Sequence, residues 1–249
     1  MIQLWQRTLS GSVIYPESDG KPMADNTKQA RWIVVLFGNL LALFRNRADV
    51  FVAADHFWYP VEGDANERVA PDVFVVLGRP KGDRSSYRQW EEDNVPATVV
   101  FEVLSPSNTY IEMADKLDFY DRHGVEEYYV YDPDSNRLHG YLRRGDVLKR
   151  QRPMNGFVSP RLGIRFDLSG PELVVRYPDG RPFLTFEELA AERDQAEQHA
   201  EQAEQRAART AELAMKVMRQ AATPEEVREL QRLLPGGPST SDTSGAGNN

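Results

Sequence analysis

The sequence predicts a mixed α/β (α+β) domain followed by a C-terminal helical extension, and three observations carry that prediction. Two uninterrupted apolar runs, Val73 to Leu77 and Thr98 to Leu104, have the pattern of strands buried on both faces. Helix-periodic stretches stand before and after them. At Thr185 the composition changes abruptly to a long run rich in Ala, Glu, Gln and Arg, with no Gly or Pro up to Gln220.

Residues 1–24 read as irregular, punctuated by Pro16, Gly20 and Pro22. A helix is expected from Asp25 to Thr27, all acceptable caps, to about Arg45, with Trp32, Val35, Leu36, Leu40, Leu43 and Phe44 at helical spacing. Val50 to Ala54 and His56 to Tyr59 read as short strands, and Arg79 to Pro96 as a polar excursion with one helical turn. After the two apolar strands comes a helix from about Tyr110 to His123, ended by Gly124. Strands follow at Glu127 to Tyr131, Arg137 to Leu142, Val147 to Gln151, Ile164 to Asp167 and Glu172 to Arg176. The turn signals at Gly145, Asn155-Gly156 and Asp179-Gly180 make this half rich in hairpins. These elements group into one domain over 25–185.

The extension over 186–234 is helical. Leu189, Ala196, Ala203, Thr210 and Val217 recur by sevens, with Ala200, Ala207, Ala214 and Ala221 offset by four. That narrow seam suits coiled-coil pairing, so self-association as a homo-oligomer, a dimer in the simplest case, is expected. Thr223-Pro224-Glu225-Glu226 supplies an N-cap, a proline at the first helical position and a capping-box glutamate. Residues 235–249 read as a disordered Gly/Ser/Pro/Asn tail.

Of the net charge of -8, residues 186–249 supply 7 Lys/Arg against 12 Asp/Glu, so the preceding domain is nearly balanced. A strongly basic, nonspecific nucleic-acid binder is thereby disfavoured, but an enzyme that grips its substrate through a metal and a local basic groove is not. The 249 residues contain no cysteine, which excludes disulfides and thiolate metal sites, and no apolar run long enough to span a bilayer. With no signal-peptide order at the N-terminus, a cytoplasmic location is expected.

Asp72, Glu102 and Lys116 carry the chemistry. Carboxylates are suitable ligands for a hard divalent cation, and the Val103 carbonyl, one residue beyond Glu102, is a natural third ligand. A nearby lysine can orient or deprotonate an attacking water, or neutralise phosphate charge. Taken singly, Asp72 after a proline could simply begin a strand, and Lys116 could be a solvated surface charge. Glu102 resists that treatment, because an unpaired carboxylate inside VVFEVL would cost several kcal/mol. Asp55 is either a further metal-proximal acid or a turn residue. Asp118 and Asp121 are expected to face solvent. The four histidines lack ligand spacing, and neither a phosphate-binding glycine loop nor a GxSxG elbow occurs.

The order PDVFVV, EVLSPSN, Lys116, Tyr120 and GVEEYYVYDP, with LGIRFDL and DGRPFLTFEEL downstream, resembles the Uma-two family of the restriction-endonuclease-like PD-(D/E)XK superfamily. The resemblance covers about residues 25–188. It implies a mixed central sheet flanked by helices, with Asp72 and Glu102 as Mg²⁺ (or Mn²⁺) ligands, Lys116 as the catalytic lysine and Tyr120 packed beneath its helix. The implied activity is metal-dependent hydrolysis of DNA phosphodiester bonds. Two departures stand out: Leu104 occupies the superfamily's usual lysine position, and the stretch Asn26 to Asn46 contains no acid, which makes a one-metal site the expected form. The alternatives are a catalytically inactive nuclease-fold module that binds nucleic acid or a protein, and a scaffold that oligomerises through its C-terminal helix.

Overall fold

The structure, a computed structural model, describes residues 13–18, 20 and 22–234. The disorder read for 235–249, and the irregular reading of residues 1–12, 19 and 21, lie outside the described residues. The chain divides between Thr185 and Phe186 into two units.

The first unit is built on a mixed six-stranded sheet flanked by two helices. Its strands are β1 (Val50–Ala54), β3 (Val73–Leu77), β5 (Val99–Val103), β6 (Glu127–Asp132), β7 (Arg137–Arg144) and β8 (Val147–Gln151), adjacent in that order. Neighbours pair antiparallel except β5 and β6, which run parallel because helix α2 (Tyr110–Arg122) connects them. Thr109 caps the start of α2 by accepting from the Glu112 amide, and Gly124, at φ +85°, follows its end.

Strand alternation divides the core into two layers. Val52, Val73, Val75, Val99, Phe101 and Val103 face helix α1 (Thr27–Leu43), which contributes Trp32, Ile33, Leu36 and Leu40. Phe51, Phe74, Val76, Val100, Tyr128 and Val130 point the other way, against Phe119 and Tyr120 of α2. Burial on both faces is what makes the central strands read as unbroken apolar runs.

Two small sheets complete the unit. The strand read from His56 shortens to β2 (Trp58–Tyr59). It pairs parallel with β4 (Tyr87–Arg88), which lies within the polar excursion. That excursion is pinned rather than loose: Arg79 and Arg84 both hold Glu92, at 2.9 and 2.6 Å, after a 3-10 turn over Gln89–Glu91. Strands β9 (Arg165–Asp167) and β10 (Val174–Arg176) form an antiparallel pair.

Two acids behave differently from their sequence reading. Asp121 is half-buried rather than free in solvent: it accepts from the Leu148 amide at 2.6 Å and pairs with Arg143 at 3.4 Å, tying α2 to β7 and β8. Glu127, which the apolar pattern of its strand gave no reason to single out, is only 2% exposed. It accepts from the Tyr129 hydroxyl at 2.9 Å, the Arg161 amide at 2.7 Å and the Ser159 hydroxyl, latching the 159–161 loop to β6. Glu127→Gln swaps an acceptor for a donor facing these donors, so a loss of about 1–3 kcal/mol is expected. A urea midpoint unchanged from wild type would rule out the latch.

The second unit is a helical hairpin of α3 (Phe186–Met218) and α4 (Pro224–Leu233), and the capping box at Thr223 and Glu226 forms in full. Arg209–Glu229 at 2.8 Å and Lys216–Glu226 at 2.7 Å join the two helices. The one side chain of α3 that is buried among the described residues is Leu213, which lies off the heptad seam. The seam residues Ala203, Ala207, Thr210 and Ala214 line a shallow apolar groove with Leu233 of α4. No helix among the described residues is long and apolar enough to cross a membrane.

Candidate active site

Register places the acids in one row across the sheet. Val73 lies opposite Phe101 and Ala54 opposite Val73, so one step further along the ladders Asp72 stands opposite Glu102, and Asp55 opposite Asp72. On the other side Glu102 is opposite Val130, and Val130 opposite His139. Directly opposed residues share a face, so this row lies on the side covered by α2.

Glu102, 3% exposed, is held at both oxygens. Lys116 Nζ donates to one at 2.8 Å and the Tyr120 hydroxyl donates to the other at 2.5 Å. Lys116 and Tyr120 lie one helical turn apart on α2, which brings both to the same carboxylate. Tyr120 is itself fixed by parallel stacking on Trp58, with ring centroids 6.4 Å apart. It is therefore a positioning residue as well as a packing one.

Asp72 Oδ2 accepts from the Val103 amide at 2.6 Å, while Oδ1 takes no hydrogen bond among the described residues. Burial, and then the neighbouring Glu102 carboxylate, push the Asp72 carboxyl well above its ordinary range, against the opposing pull of Lys116. For Lys116 burial acts downward, but Glu102 and Asp72 outweigh it and raise the ammonium above its usual value. One lysine thus sits beside two buried acids; it is hydrogen-bonded to Glu102, and Asp72 is the acid held toward its protonated form.

Asp72 and Lys116 open onto a cleft of about 580 Å³, also lined by Asp25, Gln29, Asp55 and Glu112. The Val103 carbonyl accepts from Gln29 Nε2 at 2.9 Å, so the first helix reaches this site with an amide. Asp25 accepts from the Ser105 hydroxyl at 2.7 Å and from that of Ser107, bracing the segment before α2. Asp55 lines the cleft at φ +47°, its amide donating to the Pro71 and Asp72 carbonyls, so it combines a strained turn with proximity to Asp72.

The Uma2 family, described as "Putative restriction endonuclease", matches residues 14–179. The chain belongs to that family. Among solved structures, one described as "a putative nuclease" from Anabaena variabilis aligns at 13% identity and a TM-score of 0.40, covering 56% of this chain and 74% of that one. No curated protein matches the chain.

In this Uma2 protein, the sequence-predicted trio Asp72, Glu102 and Lys116 comes together at one place, with the Val103 backbone between the acids and the first helix. The donor set fits a divalent cation in its chemistry: adjoining carboxylates, one raised by burial and then by the other, are what a hard cation would relieve. Among the described residues, however, no three His, Asp or Glu side chains are gathered as metal ligands. Sequence reasoning missed Gln29 and Asp25. Gln29 sits on the apolar face of a helix, where only its contact with Val103 reveals a role.

Proposed function

We propose that the cleft is the active site of a Mg²⁺-dependent endonuclease acting on DNA, with Asp72, Glu102 and the Val103 carbonyl as the metal-holding groups. The observation that carries the reading is Asp72, lining an open cleft with its carboxyl pushed well upward, beside a buried, doubly anchored Glu102. A bound divalent ion would supply Lewis-acid polarisation of a phosphoryl oxygen and lower the pKa of a water. Lys116, whose ammonium form the neighbouring acids favour, would orient water and offset negative charge building on the phosphate. Tyr120 keeps the Glu102 carboxylate from rotating, and Gln29 fixes the Val103 carbonyl. Self-association through α3 would suit the two-fold backbone of a duplex.

A second reading, a nuclease-fold module that binds without cleaving, is favoured by one feature. Both oxygens of Glu102 are already engaged, and the described residues offer no third carboxylate ligand. Nicking of supercoiled plasmid in Mg²⁺ or Mn²⁺ separates the two. Wild type should nick and Lys116→Met should be slower by about 10²–10³-fold. Equal rates would remove Lys116 from the mechanism. A wild type that neither nicks nor shows calorimetric metal binding dependent on Asp72 would leave only the binding module.

A further inference from the structure

We propose that the α2-side face of the β7–β8 hairpin, where it extends exposed beyond that helix, grips the phosphate backbone of the DNA flanking the cleft through Arg150, Arg152, Arg137 and the His139 ring. The inference rests on the nuclease reading and names the second contact that a nearly neutral domain would need for a polyanion.

The row that begins with Asp55, Asp72 and Glu102 continues through Val130 to His139. Arg150 lies opposite Tyr141, and Tyr141 opposite Tyr128, so Arg150 shares the Glu102 face. With strands about 4.8 Å apart, His139 and Arg150 stand about 10 to 15 Å across the sheet from Glu102. At about 3.4 Å of duplex axis per base pair, that span corresponds to about three to four base pairs along a duplex lying across the sheet. Helix α2 reaches β8 at Leu148, leaving Arg150 and Arg152 exposed beyond it.

The charge pattern is uneven. Most arginines elsewhere in the first unit are neutralised, as in Arg31–Glu172, Arg79–Glu92 and Arg122–Glu67. Arg137, Arg150 and Arg152 form no ion pair among the described residues, although Asp132 faces Arg137 across the ladder. Arg150 instead donates to His139 Nδ1 at 2.6 Å. A guanidinium has no acceptor, so Nδ1 is the acceptor and the ring proton sits on Nε2, as a further donor. Burial, and then the charges of Arg150, Arg152 and Arg137, push the ring down and keep it neutral, with Asp132 opposing. Guarding an exposed edge strand needs charge but no such convergence. Like charges gathered around a neutral ring call for an external anion, and a half-exposed Tyr141 stacked on Tyr128 lies beside them.

The test is fluorescence-anisotropy titration of a 20-base-pair duplex between 50 and 200 mM salt. Arg150→Gln/Arg152→Gln should weaken binding about tenfold or more and reduce the salt slope by about two. Arg144→Gln/Lys149→Gln, which removes the same charge from the opposite sheet face, should leave both within twofold. Equal losses in the two variants, or an unchanged Arg150/Arg152 variant, overturn the inference while the nuclease reading stands. A wild type that binds no duplex also overturns it, and metal-dependent nicking then decides separately whether the nuclease reading survives.

Discussion

Replacing Lys116 by Met is expected to cost the metal-free protein about 3–5 kcal/mol, because it leaves Glu102 buried without its cation. Only the Tyr120 hydroxyl would still donate to that carboxylate. Glu102→Gln alone should also destabilise, since its amide would face the Lys116 ammonium. The double variant, Lys116→Met with Glu102→Gln, should recover most of the loss, because no charge then remains to be paired. Urea unfolding of the four proteins at pH 7 completes the cycle. Strictly additive losses would show that the contact is incidental and that Lys116 is a surface charge after all.

The second large effect is expected at Asp72. Its folded-state carboxyl is raised, so the stability it contributes is fully present below the ordinary carboxyl value near 3.8 and is lost as pH rises through the folded value. Over that interval the native state keeps a proton that the unfolded chain has released. Asp72→Asn removes this penalty while its side-chain oxygen can still accept from the Val103 amide. The metal-free variant should therefore melt higher than wild type at neutral pH. Wild type alone should gain from a divalent ion, by about 2.7 kcal/mol at a hundredfold excess over Kd, or about 5–10 °C in Tm. Calorimetry in buffers of different ionisation enthalpy should register a proton released on metal binding. If Asp72→Asn melts lower without metal and gains as much with it, Asp72 is a strand-start residue and not a ligand.

These two sites show how unevenly the active cleft was legible. Glu102 could be singled out because a carboxylate within an apolar strand violates the burial rule that governs its neighbours. Asp72 and Lys116 came from order and spacing, and from the family pattern to which they correspond. Gln29 and Asp25 left no such trace, since a polar residue on a helix face or before its cap breaks no local rule. Asp121 illustrates the opposite failure. Helical position suggested an outward acid, but its partners on β7 and β8 lie more than twenty residues away in the chain.

The mixed α/β class, the run of strands and helices, the capping box at Thr223 and the abrupt start of the C-terminal helix were determined by the sequence alone. Each depends on periodicity or capping within a few residues, which adjacent side chains encode directly. What only the tertiary structure decided is the alignment of Asp55, Asp72, Glu102 and His139 in one row, and the convergence of Lys116 and Tyr120 on the two Glu102 oxygens. Strand order and register are settled by packing two apolar layers against α1 and α2 at once. That is a non-local balance, and no single segment of the chain carries it.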